Sequence, residues 1–585
     1  MSRPTGRCLT ILMLAAALAG CGGGGGGGGT TAPAKPVTPT LTSFSPASVQ
    51  AGSPAFTLTI NGAGFAPGGS ISWNGTDLGV WTFVSSTQVT IVIGQKLVTS
   101  PGRALIVAKN TDPSTKPSHS LPFSITPFAN SGCVLFGTYD FFFTGFDSTG
   151  PMTTAGTFGV DASGKVNGVI DFKDRTTTRL SEAVTDGSCS NGGDLNTGTL
   201  KITTASGTSN YTFVTQGAPT AGVRGRMAES GDANGVSGTG KFVQLKPTFG
   251  YFSGDYTFGV IGADSGGNRL GVVGRFTDTA AANATGTISN GMADVNDNGT
   301  VTSSATLTGT VAPPDANSRS VATLMIGSQP HTFAFYVLRP DAGFAMDIDP
   351  PGSGAVLAGV VGTQFLAGLY GNGSLSAPFV FSAWGVVPGS PATSETAVGV
   401  ASTVGGNGTL TFEMDSVSRG ASLADQIVPA TYSIAANGRG TLSYTLGGRP
   451  YNFVMYLDNN NDGNMLQTDT AGSVQFGLFE AQTVSNFDLT TLNGRFAGAG
   501  WFNPVNTSPS VAAQYNFSGG NLTAATPAGG LTATYTVNAA GRGSGTANQG
   551  VFGGSNFVFY VIGTDALTIM GADPVAGDAI SLLHQ

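Results

Sequence analysis

The feature that most constrains this chain is an aromatic phrase that returns three times. Phe333-Ala-Phe335-Tyr336 recurs as Phe453-Val-Met-Tyr456 and as Phe557-Val-Phe559-Tyr560. An aspartate stands thirteen residues after each tyrosine, at Asp349, Asp469 and Asp573. An arginine stands 17, 17 and 18 residues before it, at Arg319, Arg439 and Arg542. Each unit ends near a glutamine, Gln364, Gln482 or Gln585. Repetition on this scale means one domain-sized unit used several times, which must be recognised before any site is argued.

A more divergent first unit carries Tyr211-Thr-Phe-Val214 at the strand position and ends near Gln244. Its opening matches the second unit, with Asn167-Gly168-Val-Ile-Asp171 answering Asn290-Gly291-Met-Ala-Asp294. Four tandem units follow, at 128–247, 248–366, 367–484 and 485–585. Each shows about eight alternating stretches, which read as half-buried strands. Asn-Gly and Asp-Gly pairs such as Asn407-Gly408, Asn437-Gly438 and Asp462-Gly463 suit two-residue hairpins. The expected fold class is all-β: antiparallel meanders that close into small barrels, with sandwiches as the alternative way to hide sheet edges. The units carry no recognisable family motif.

Composition agrees. Glycine is abundant at 90 of 585 residues, which disfavours helices and suits short strands joined by tight turns. Only 10% of residues are charged, against roughly 25% in an ordinary soluble protein. A net charge of −8 with no Lys/Arg cluster excludes a nucleic-acid partner, which needs a concentrated basic surface.

Residues 41–127 read differently. Leu41-Thr-Ser-Phe44-Ser-Pro46, Leu58-Thr-Ile60-Asn-Gly62-Ala-Gly64-Phe65 and Arg103-Ala-Leu-Ile-Val107 lead to Leu121-Pro-Phe-Ser-Ile125. This set resembles the IPT/TIG family, which implies an immunoglobulin-like β-sandwich, a module common in cell-surface proteins, without chemistry of its own.

At the N-terminus, Arg3 and Arg7 precede the apolar run Leu9–Ala17 and then Leu18-Ala-Gly-Cys21. The run is too short to span a bilayer as a permanent helix and reads as a signal peptide, residues 1–20. Its ending resembles the lipobox of bacterial lipoproteins, which implies cleavage before Cys21 and lipid on that cysteine. Acylation with two or three chains gives stable anchoring to a membrane. Residues 21–40, with polyglycine from Gly22 to Gly29 and a Pro/Thr segment after it, are the expected flexible leash. Gly22 is not the aspartate that favours inner-membrane retention in such lipoproteins, so the outer membrane of the cell envelope is the expected address.

Cys133 and Cys189 remain after export, and a disulfide between them is expected, with two buried thiols as the alternative.

No strong catalytic motif stands out. Asp458-Asn-Asn460-Asn-Asp462-Gly463-Asn464 followed by Asp469 resembles an EF-hand calcium loop, so calcium is the one candidate ligand ion. An Asn-rich hairpin turn is the alternative, because strands flank the segment and Asp469 is already a repeat position. Asp294-Val-Asn296-Asp-Asn298-Gly299 opens similarly but has Ala305 at position 12. Ala263-Asp-Ser265-Gly-Gly267 resembles the nucleophile segment of trypsin-like proteases. The three histidines, His119, His331 and His584, lie in no matching phrase, and no paired ligands suit zinc. The repeat arginines are expected to bond turn carbonyls or the repeat aspartates. Trp384 and Trp501 are candidates for stacking on a sugar, or for the core.

These residues predict a non-catalytic envelope protein that binds a glycan or another envelope protein, with repetition supplying avidity. A polysaccharide hydrolase whose carboxylates converge only in three dimensions is the alternative, and a plain spacer is the third reading.

Overall fold

The computed structural model describes residues 37–584 except 51–52, 54, 95–96, 99–101, 127–132, 193–195, 219–221, 230–235, 246–249, 281–283, 353, 377, 388–392, 419, 471–472, 501–511, 527–528, 549–553 and 575–578. The signal peptide, Cys21 with most of the leash, Trp501 and Gln585 lie outside these residues.

Alternation along Phe56–Ala63 sends Leu58 and Ile60 inward and leaves Thr57 exposed, so one face of the strand is core. It pairs with Thr40–Ser45 and Gln88–Ile93 in a four-stranded sheet. A five-stranded sheet centred on Gly102–Lys109 and Leu121–Thr126 supplies the opposite wall. Ile71, Trp73, Ile106 and Phe123 fill the space between, giving the expected immunoglobulin-like sandwich.

Among the described residues, the rest of the chain forms one nine-stranded sheet and three closed eight-stranded barrels. The barrels run up and down in chain order, from Gly254–Ala263 to Val356–Thr363, from Phe379–Val387 to Val474–Ala481, and from Gly494–Gly500 to Ala579–His584. The first unit nearly closes. Its edge strands, Thr178–Ala183 and Asp186–Asn191, follow each other in the chain, and a bridge from Lys165 to Ser188 spans the gap. A disulfide joins Cys133 to Cys189 in the second edge strand, with Cα atoms 5.5 Å apart.

The barrels are filled. Phe258, Phe276, Leu307, Phe333 and Phe335 pack the interior of the second, and the others have comparable aromatic cores. A second apolar layer lies outside them. Phe333, Phe335 and Val337 point into their barrel, whereas Ala334, Tyr336 and Leu338 pack with Phe142 of the first unit. This explains the recurring phrase: its strand is buried on both faces, so it reads as an unbroken apolar run instead of a simple alternation. Phe379–Val387 is likewise buried at every position.

The same strand carries a polar clasp. Asp171 of the first unit accepts from Arg319 Nε (2.7 Å) and the Tyr336 hydroxyl (2.8 Å) of the second. Asp294 of the second does so from Arg439 and Tyr456 of the third, and Asp415 of the third from Arg542 and Tyr560 of the fourth. The other carboxylate oxygen accepts a backbone N–H ten residues later, from Ser181, Ser304 or Asp425. All three donors have left-handed backbone, with φ of 53°, 54° and 54°. The expectation that the repeat arginines bond turn carbonyls or the repeat aspartates is therefore corrected, because their partners are buried aspartates of the preceding unit. Asp349, Asp469 and Asp573 instead accept the backbone N–H of Thr332, Asn452 and Asn556 within their own barrels.

Gln364 and Gln482 reach forward as well, each donating to two carbonyls of the next barrel. Gln244 instead donates to Phe136 within its own unit. The chain of contacts then closes on itself. Gly207–Ala218 and Gly222–Glu229 of the first unit pack on Gly494–Gly500 and Ala512–Ser518 of the fourth, and Thr239 donates to the Gly500 carbonyl.

Candidate functional site

The interiors of the closed barrels are packed, and open space is found between barrels instead. Where the four units meet they line a partly open chamber of about 550 Å³, within the size range of small-molecule sites. Phe142, Phe146 and Met152 line it from the first unit, Ile261 and Val360 from the second, Trp384 and Phe476 from the third, and Ile562 from the fourth. The walls are mostly apolar because they continue the outer layers that hold the barrels together. Gly259 lets the Phe476 ring lie close against its strand: a Cβ there would come within 2.6 Å of the ring, which would have to shift.

Ionisable groups interrupt these walls. Asp458, Asp462 and Glu480 come from neighbouring strands of the third barrel, Lys241 from the first unit and Arg269 from the second. Asp458 accepts from the Thr257 hydroxyl of the second barrel, and burial pushes its carboxyl up to about 7, with Asp462 adding repulsion. Asp462 is raised by burial although it accepts from the Ala481 N–H at 2.7 Å. Glu480 is exposed at the chamber wall, and desolvation by the barrels around it raises its carboxyl, with Asp462 adding to this and Arg226 and Lys241 opposing. Lys241 is lowered to about 7 by burial and by Arg226, against Glu480. Its ammonium lies 5.7 Å and 5.2 Å from the ring centres of Phe142 and Phe344, within cation–π range.

Arg269 is different. It is 8% exposed, and its Nε and Nη2 have no hydrogen-bond partner among the described residues. Burial alone lowers it, to about 9, so it remains a cation at neutral pH with no carboxylate paired to it among the described residues.

The proposed calcium ligands do not come together as a set. Asn459 and Asp462 pair across a hairpin whose turn residue Asn461 is left-handed, with φ of 62°. Asp458, Asp462 and Asn464 border the chamber, whereas Asn460 is exposed in the turn. Asp469 lies seven residues beyond Asp462, roughly 20 Å along an extended strand. It is bonded there to Asn452 and Gln467. An EF-hand curls its twelve residues around one ion, which a straight hairpin cannot do.

His331, Asp347 and Asp349 lie close together elsewhere, but Lys173 already supplies a positive charge to Asp347. The protease-like Asp264-Ser-Gly-Gly267 segment is a hairpin turn closed by Asn268 onto Asp264. Trp384 is 3% exposed and packs edge-on against Phe476 at 5.5 Å, so it belongs to both the core and the chamber wall.

The sequence reading missed Lys241, Arg269 and Glu480. Each is a lone residue on a separate strand, with no local motif. The available signal was a charge set in an apolar strand of a chain where charge is scarce.

Comparison with known proteins places residues 39–125 in the IPT/TIG domain family. No curated protein matches the chain. Among solved structures, "Crystal structure of CghA" and "Crystal structure of CghA with Sch210972" each align over 58% of this chain and 87% of theirs at 10% identity. Both have a TM-score of 0.16, which supports no conclusion about fold or function.

Proposed function

We propose that this chain is a lipid-anchored envelope protein that binds a small molecule, without catalysis, in the chamber between its four β units. The chamber itself carries the reading. It has suitable size and apolar walls with a few ionisable groups, and it exists only because four units meet. The IPT/TIG module is generic to binding and adhesion proteins and fits a spacer that lifts the barrels from the membrane. The three acids rise from neighbouring strands of one barrel into a wall that is otherwise mostly apolar, as in a binding site with a few placed polar groups.

The test of binding is titration of the full mature chain with N-phenyl-1-naphthylamine, a neutral dye that brightens in apolar sites. Saturable binding at one site, abolished in a Val360→Trp variant that melts normally, is the expected result. Absence of saturable binding overturns the reading. For the anchor, the unaltered precursor should enter the detergent phase of Triton X-114 and Cys21→Ser should not. Equal partition removes the anchor from the proposal.

A further inference from the structure

The chamber leaves one charge unanswered. Arg269 opens Arg269–Asp278, a strand whose alternate residues Leu270 and Val272 enter the barrel core, so Arg269 lies on the opposite, outer face. There it borders the chamber and is 8% exposed, while Nε and Nη2 meet neither solvent nor a partner among the described residues. A guanidinium removed from water without a counter-charge is costly, and the cost is recovered only when an anion arrives. Nε and one terminal nitrogen form a side of the guanidinium fork, with the spacing of the two oxygens of a carboxylate.

The other ionisable groups do not compete for the same role. Lys241 has Glu480 beside it and two aromatic rings within reach. Asp458 is held by Thr257, and Asp462 by the Ala481 N–H. Trp384 and Phe476 present apolar aromatic surface to the same space.

Resting on the binding reading above, we infer that the chamber takes a monocarboxylate with an aromatic or branched apolar body, its carboxylate paired with Arg269 and its body against Trp384 and Phe476. A turn about the last torsions of the arginine brings its fork to the ligand. Specificity follows from the imbalance: a neutral analogue of equal shape keeps the apolar contact but leaves the guanidinium unpaired.

The experiment compares 2-naphthoate with its neutral isostere 2-naphthamide by isothermal titration into the mature full-length protein at pH 7.5. Naphthoate should bind about tenfold tighter than the amide, the worth of one desolvated charge-assisted pair. In Arg269→Gln the preference should vanish while amide affinity stays, and Arg269→Lys should restore part of it. Equal binding of the two probes to the unaltered protein, or an unchanged preference in Arg269→Gln, overturns the inference while leaving the chamber a binding site. Failure of both probes together with the neutral dye overturns the binding reading itself. Because the amide is measured on every variant, loss of folding is distinguished from loss of the charge contact.

Discussion

Asp294 and Arg439 belong to different barrels and meet in a two-pronged pair, with Nε 2.9 Å and Nη2 2.6 Å from the two carboxylate oxygens. The Tyr456 hydroxyl adds a third bond at 2.6 Å and the Ser304 N–H a fourth at 3.0 Å. The aspartate is wholly buried and its bonding capacity is met from two units at once. Removing it by Asp294→Ala strands Arg439 and Tyr456 between barrels. A loss of about 3–5 kcal/mol is expected, read from the urea midpoint of that transition. Tyr456→Phe, which keeps the ring, should lose about 1.5–3 kcal/mol.

Ser304 donates to this aspartate from a left-handed backbone, φ 54°, in an otherwise extended strand. A branched side chain resists that conformation and glycine accepts it. Ser304→Val should therefore lower the thermal midpoint, by a cost of about 1–2 kcal/mol. Ser304→Gly should leave it nearly unchanged. Equal effects from both variants would show that the hydroxyl and not the backbone matters there.

The Cys133–Cys189 bond closes a 56-residue separation around the one barrel that does not close by its own ladder. Its loss frees that loop in the unfolded chain, worth about 4 kcal/mol in the chain-entropy account. Cys189→Ser should lower calorimetric stability of the first unit by that order. A reducing agent should reproduce the effect in the unaltered protein and add nothing in the variant.

Asp458 holds its proton in the folded protein up to about 7, against 3.8 for the free side chain. Between those values the folded state binds the proton and the unfolded state does not. This contribution to stability is thus full below pH 4 and is lost as pH rises through about 7. Asp458→Asn should flatten the fall in melting temperature between pH 4 and 7 and raise stability above pH 7. A parallel pH profile in the variant would place the titrating group elsewhere, with Asp462 the neighbour to examine next.

The β class, the immunoglobulin-like module and the up-and-down repeats were legible because they rest on local rules. Period-two alternation, Asn-Gly turns and a phrase returning at domain spacing are visible one window at a time. The repeat arginines and tyrosines were visible too, but their partners were not: Arg439 and Asp294 stand 145 residues apart, and nothing near either one names the other. The Asn-rich loop left two readings open in the sequence, an ion loop or a hairpin turn, and the structure has the hairpin. Its spacing suited a curled ion loop, yet the ladder on both sides kept it straight and carried Asp469 away.

The sequence by itself determined that each unit is an antiparallel β meander, since alternating apolar faces must be buried and tight turns pair successive strands, but it left barrel and sandwich open. It also carries the lipobox-like Leu18-Ala-Gly-Cys21. Only the tertiary structure decided that the outer faces of the barrels bury one another, that buried aspartates lock each barrel to the next, and that their meeting leaves a chamber with Arg269 at its wall. Contact between surfaces hundreds of residues apart depends on shape and desolvation in three dimensions. No local pattern records it.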